Sequence, residues 1–293
     1  MKNILILLIL ITCSVGCTSL RENKKASTWE GNFMFFQMAD TQLGYGKLKQ
    51  DIKNFEQAIA YANQHKPDFV VICGDLLKDP YMIDRKDEFL NITKKLNKNI
   101  PLHLVSGNHD VMEGKGTDSK TTAKGLKWYR NHFGDDYYSF EHKGCYGIIL
   151  NSSLIKSIEP GLENEQEKQK IWMLKELKKA RTRKAKHIFI FQHHPYFFKT
   201  LDEEGAAPYF HLPEHKKEYF SIFHQYDVRA VFAGHWHRNS EGKDGDIEMI
   251  TTGQLTSKGK ASPGFRVVHV FQDKIEHKYY DLNEFPEKLT ITK

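Results

Sequence analysis

Short apolar runs, each closed by a polar motif, recur along the chain. Residues 69–73 end in Gly74-Asp75, and residues 102–105 lead to Gly107-Asn108-His109-Asp110. Residues 188–191 lead to His193-His194-Pro195, and residues 228–233 to Gly234-His235-Trp236-His237. A fifth run, residues 33–39, ends in Asp40. Runs this short, apolar on both faces and bounded by Gly or polar residues, predict buried β-strands. Between them the period changes. Ile52, Phe55, Ile59 and Ala62 predict a helix over 51–65, and Phe89, Ile92 and Leu96 predict another over 84–97. Further helices are expected up to about residue 132, over 164–181 and over 215–226. Residues 137–141 and 146–151 read as a hairpin around Lys143-Gly144. The tail reads as consecutive strands at 247–252, 265–271 and 275–280. Early alternation of strand and helix, followed by strands alone, predicts an α/β fold. We expect a four-layer αββα sandwich with two mixed sheets face to face and helices outside.

Two loops stand out. Residues 113–120 are rich in Gly, Lys and Thr, and residues 199–214 are irregular with Gly205, Pro208 and Pro213. Both are candidate walls of a functional pocket.

The composition adds little to this pattern. The 293 residues are 40% hydrophobic and 27% charged, enough for one large domain or two small ones with a substantial core. The formal charge of +6 is modest, and the Lys/Arg residues are scattered apart from a cluster at 178–186. That cluster reads as a solvated basic helix end, so no nucleic-acid partner is expected. The N-terminus does change the picture. Met1-Lys2-Asn3 precedes an apolar run at 4–11, which is too short to span a bilayer and has the form of a signal segment. Cys17, after Gly16, is the candidate for lipidation in a bacterial lipoprotein-like signal; Ser14 stands where that pattern favours Leu. Residues 1–17 are therefore read as a signal, 18–32 as a polar tether, and 33–293 as the folded domain. An exported protein, membrane-anchored or periplasmic or extracellular, is expected. Cys73 and Cys145 both lie in strand-like runs and read as small core residues.

The chemistry lies in the motifs. Asp40 and Asp75 are carboxylates at strand ends, and a carboxylate can bridge two cations. Asn108 offers a neutral carbonyl oxygen. His109 is a candidate proton donor or charge stabiliser, with Asp110 expected to accept from its other ring nitrogen. His235 and His237, one residue apart, would point the same way in extended backbone. Carboxylate, amide and imidazole ligands gathered in this way suit a pair of divalent metals.

As an ordered set, these motifs resemble the calcineurin-like metallophosphoesterase superfamily over residues 33–280. The resemblance implies a first metal on Asp40, Asp75 and His237, and a second on Asp75, Asn108, His193 and His235. It implies that His109 stabilises the transition state or protonates the leaving oxygen, and that hydroxide shared by the metals attacks phosphorus. One departure is Asp40-Thr41-Gln42, where the family usually has Asp-x-His. Gln42 as an oxygen ligand favours Mn or Mg, with Fe or Zn as alternatives. The same variant occurs in a narrower branch, the CPPED-type serine/threonine phosphatases. That branch is also resembled at Ser106, Gly134-Asp135-Asp136-Tyr137, Leu150-Asn151-Ser152, Phe191-Gln192-His193 and Gly264-Phe265-Arg266. Arg238 is a candidate phosphate clamp beside Asn108 and His109, set against an ordinary structural ion pair. Arg266 is a weaker candidate. The expected function is a metal-dependent phosphatase acting on phosphate monoesters, phosphoprotein or small molecule. The alternatives are a phosphodiesterase or nucleotide hydrolase, and a non-catalytic scaffold of the same fold.

Overall fold

The computed structural model describes residues 26–114, 118–203, 213–259 and 261–289. The signal segment, Cys17, most of the tether, and Tyr209 in the second loop lie outside these residues.

The first half of the chain reads β1 (Phe33–Met38), α1 (Leu48–His65), β2 (Phe69–Cys73), α2 (Ile83–Thr93), β3 (Leu102–Val105), α3 (Asn108–Val111), β4 (Met112–Glu113), β5 (Lys120–Thr121) and α4 (Ala123–Phe133). The second reads β6 (Tyr138–His142), β7 (Cys145–Ile149), α5 (Ser152–Lys156), α6 (Glu163–Thr182), β8 (Ile188–Phe191), α7 (Pro213–Gln225), β9 (Ala230–Ala233), β10 (Ser240–Asp244), β11 (Ile247–Thr251), β12 (Gly264–Val270) and β13 (Ile275–Asp281).

The strands form two mixed sheets, ordered β13-β12-β1-β2-β3 and β10-β11-β9-β8-β7-β6, beside a small β4-β5 pair. β1, β2 and β3 run parallel, as do β7, β8, β9 and β11. β6, β10, β12 and β13 pair antiparallel at the edges or on β1. The consecutive strands of the tail thus divide: β10 and β11 extend one sheet, while β12 inserts beside β1 in the other.

Three apolar clusters explain the layers. Phe35, Phe69, Phe189, Phe191, Phe232 and Val268 fill the space between the sheets. Phe36, Phe55, Ile59, Phe89 and Leu126 pack the outer face of the first sheet under α1, α2 and α4. Met173, Leu177, Phe220 and Phe223 pack α6 and α7 onto the second. Strands buried on both faces have no polar period, which is why β1, β2 and β8 read as continuous apolar runs. Truncating Phe191, fully buried between the sheets, would cost about 3–5 kcal/mol.

Boundaries differ from expectation where local signals are weak. α2 stops at Thr93 rather than running to 97. β10, α5 and the one-turn α3 were not foreseen, because Ser240–Asp244 is polar and the two helices span only 5 and 4 residues.

Candidate metal centre

All parallel strands of the two sheets end at the same pole, and each expected motif lies there. Backbone pairing between β1 and β2 continues past the strands: Asp40 N–H donates to the Gly74 carbonyl at 3.1 Å and Gln42 N–H to the Asp75 carbonyl at 2.9 Å. The two segments then turn sharply. Asp40, Gln42 and Asp75 have φ of 52°, 34° and 53°, and His235 and His237 have 70° and 52°. Left-handed backbone at non-glycine residues costs on the order of 1 kcal/mol each and persists where the surroundings dictate it. The extended backbone expected at 235–237 is therefore corrected: left-handed turns, not strand alternation, place both imidazoles in the cleft.

The motif glycines leave room for the polar groups. Gly74 has φ +83°, and a Cβ there would stand 2.4 Å from His193 Nδ1. A Cβ on Gly107 would stand 2.1 Å from Asp75 Oδ1.

Each side chain is fixed by a second partner. His193 Nδ1 donates to the Cys73 carbonyl at 2.9 Å, which leaves Nε2 as the lone-pair nitrogen. That Nε2 is 3.3 Å from Asp75 Oδ2, 3.0 Å from Asn108 Oδ1 and 3.1 Å from His235 Nδ1. On the other side of Asp75, His237 Nε2 is 3.3 Å from Asp40 Oδ1. Asp40 Oδ2 accepts from His235 N–H at 2.9 Å, and Asp75 Oδ1 from His109 N–H at 2.8 Å. Gln42 Nε2 donates to Asp75 Oδ2 at 2.9 Å. Asp40 Oδ1 and Gln42 Oε1 are buried and accept no hydrogen bond.

This donor set fits a pair of divalent cations. Two buried oxygens that accept no well-formed hydrogen bond are costly unless a ligand takes them up. The electrostatics agree. Burial works against charging His193, but Asp75 and Asp40 overcome it and raise the imidazole to about 9. Burial likewise opposes charge on His237, and Asp40 raises it nonetheless. Burial pushes Asp75 up, but His193, His109 and His235 hold it below the usual carboxylate range. The positive charge that these carboxylates draw onto the imidazoles is charge that cations would carry.

A cleft of about 260 Å³ opens above these groups, lined by Gln42, Tyr45, Asp75, His109, Trp236 and His237. His109 Nδ1 lies 2.5 Å from the Lys78 carbonyl. The expected pairing of Asp110 with His109 is thereby corrected. Asp110 instead accepts from Gly107 N–H at 2.8 Å, Leu76 N–H at 2.9 Å and Leu77 N–H at 3.3 Å. Its carboxyl satisfies backbone donors and pins the Asn108-His109 turn to the Asp75 loop, while burial and then the Asp75 charge push it up to about 7. Arg238 is exposed, with its guanidinium 5.1 Å from the Trp236 ring. Arg266 is buried on Glu241 (2.7 Å), His277 (2.8 Å) and Thr252 (3.2 Å), so it is a structural residue rather than a clamp.

Four contributors carry no assigned role in the sequence reading, although Tyr45 and His194 stand there as residues that could line the cleft. Ser152 Oγ accepts from His193 N–H (3.2 Å) and His194 N–H (3.0 Å), holding that turn in register. The His194 ring stands 4.4 Å from that of His235. Burial lowers the Lys156 amine to about 8, with the charge of Asp75 acting against it. Tyr45 stacks edge-on between His109 (5.4 Å) and His237 (5.9 Å). The Asn151-Ser152 sequence signalled Ser152, and Tyr45 is a candidate pocket aromatic set against plain packing; nothing short of the fold signals Lys156.

Comparison with known proteins agrees with this geometry. A family model described as calcineurin-like phosphoesterase matches residues 33–239. The serine/threonine-protein phosphatase CPPED1 of Homo sapiens is 33% identical over 288 residues, covering 90% of this chain and 88% of that protein. Its namesake in Danio rerio is 31% identical over 281 residues, covering 89% and 88%. Among solved structures, a dimetal phosphatase from Danio rerio superposes with a TM-score of 0.63 at 15% identity, covering 86% of this chain and 97% of that one.

Proposed function

This chain belongs to the calcineurin-like phosphoesterase family and is a metal-dependent phosphatase; on that premise we propose that it hydrolyses phosphate monoesters, phosphoserine and phosphothreonine among them. The names of its full-length relatives, which are serine/threonine-protein phosphatases, support the monoester over the diester reading. The observation that carries the site assignment is the pair of buried, unbonded oxygens, Asp40 Oδ1 and Gln42 Oε1, at the floor of the cleft.

Asp40, Gln42, Asp75 and His237 would hold one cation, and Asp75, Asn108, His193 and His235 the other. When bound, the pair supplies Lewis-acid neutralisation of phosphoryl oxygens and water acidified towards neutral pH. The protein supplies the rest. The Lys78 carbonyl holds the Nδ1 proton of His109, so Nε2 faces the reaction, and in the imidazolium form its proton is the one to pass to the leaving oxygen. Asn108 and His109, adjacent at the start of α3, contact the phosphoryl group from one side. Arg238, resting on Trp236, clamps it at the rim. Asp110 keeps the α3 turn in place. Gln42 adds an oxygen where imidazole would be softer, favouring Mn²⁺ or Mg²⁺; iron retained tightly at one per chain would contradict that preference.

The deciding assay compares a monoester and a diester of one chromogenic alcohol with Mn²⁺-loaded protein. Faster monoester turnover is the expected result, and a strong diester preference would reverse it. The sequence also supports export and anchoring through Cys17, which metabolic labelling with a fatty acid, lost in Cys17→Ser, would test.

A further inference from the structure

The wall of the cleft that carries Tyr45 is held by a residue far from the metal motifs. Asp51 lies in the first turn of α1 and is completely buried. Its Oδ2 accepts from Gly44 N–H and Gly46 N–H, both at 3.1 Å. Its Oδ1 accepts from Ser257 N–H and Ser257 Oγ–H, both at 2.7 Å, and from Thr256 Oγ–H at 3.2 Å. One carboxylate therefore joins the loop after β1 to the loop after β11. The joint is close: a Cβ on Gly46 would stand 2.3 Å from Ser257 Oγ. The second loop is also tied to the metal motif, through Thr256 N–H on the Asp40 carbonyl at 2.9 Å.

The two loops carry Tyr45 and Lys258. Tyr45 stands edge-on to His109 and His237, and Lys258 Nζ lies 4.2 Å from the centre of the Tyr45 ring. Lys258 is exposed and pairs with no carboxylate among the described residues. Asp51, the acid nearest along this wall, is taken up by its own donors. The amine is thus held one ring away from the reaction centre. A cation resting on an aromatic face keeps its charge while losing mobility, which suits it to receive an anion.

We infer that Lys258, carried over Tyr45 on the wall that Asp51 builds, is a second anion subsite selecting phosphomonoesters with a further negative charge beside the scissile phosphate. The substrate class is an acidic phosphopeptide, with bisphosphorylated small molecules offering the same chemistry. The inference rests on the monoesterase reading above. Asp51 is a positioning residue in it, and Lys258 a specificity residue.

Phosphoserine peptides that differ only in flanking glutamate or glutamine test it, alongside glycerol bisphosphate and glycerol monophosphate as the small-molecule arm. Turnover is read as the ratio of kcat/KM, charged over neutral. Calorimetry of non-hydrolysable phosphonate peptides reads binding without turnover. The wild type should favour the charged member of a pair about fivefold, the strength of one exposed ion contact. Lys258→Gln should bring the ratio to about one, Lys258→Arg should restore it, and Lys258→Glu should invert it. An unchanged ratio in Lys258→Gln would overturn the inference while leaving the monoesterase reading intact. Charge-dependent binding without turnover of any peptide or glycerol phosphate would sink that reading and leave the subsite standing. A preference for the charged peptide but not for the bisphosphate would assign the site to protein substrates.

Discussion

β2 carries a carboxylate at each end, and the two could hardly be treated more differently. Asp68, at the amino end, is paired with His142 at 2.9 Å, Lys143 at 2.6 Å and the Met34 N–H at 3.2 Å. Asp75, at the carboxyl end, sits among imidazoles beside two buried oxygens, Asp40 Oδ1 and Gln42 Oε1, that accept no well-formed hydrogen bond. The cavity at the amino end is the larger, about 430 Å³ against 260 Å³. Its charged lining nevertheless pairs internally, Arg183 with Glu141 and Lys143 with Asp68. Cavity size alone would pick the wrong end of the molecule. The informative quantity is unmet bonding capacity, which a finished surface lacks and a binding site keeps.

The comparison is sharpened most by Asp110. Asp110→Ala would leave three buried amides without an acceptor and should destabilise the fold by about 3–5 kcal/mol in a denaturant titration. A loss below about 1 kcal/mol would show that the carboxyl pole is not pinned in this way. Asn108→Ala should lower kcat/KM about 100-fold or more with little change in melting temperature, and chelation should abolish activity until Mn²⁺ is restored. Gln42→Ala should weaken metal affinity about tenfold by direct titration, whereas Gln42→His should shift retention towards iron and zinc. Asp68→Asn comes last, with under about 1 kcal/mol of stability lost and activity untouched. Burial alone would raise the Asp68 carboxyl, but His142, Lys143 and the Met34 amide lower it to about 2. Since the folded value lies below the unfolded one, this contribution is complete above about pH 4 and fades as the pH falls towards 2. The difference between wild type and Asp68→Asn melting curves over that window checks the sign.

Much of the fold was legible because buried parallel strands leave unbroken apolar runs and amphipathic helices a 3.6-residue period. The β-strand runs into Asp75 and His193 are examples, and so is the apolar face of α1. The gathering of the motif residues at one pole was legible because each motif follows such a run. Three things were not. The polar β10 has no apolar period and is held by pairing with β11. The role of Asp110 depends on where the amides of Leu76 and Leu77 come to lie, 33–34 residues away in sequence. Tyr45 and Lys258 meet where Asp51 and backbone bonds join loops separated by more than 200 residues. Such long-range closures leave no local pattern.

The central claim is that the unmet oxygens at the carboxyl pole are ligands for two cations. Anomalous diffraction from crystals grown with Mn²⁺ tests it most directly. Two peaks are predicted astride Asp75, one between Asp40, Gln42 and His237, the other among Asn108, His193 and His235. A single peak, or peaks away from Asp75, would contradict the account.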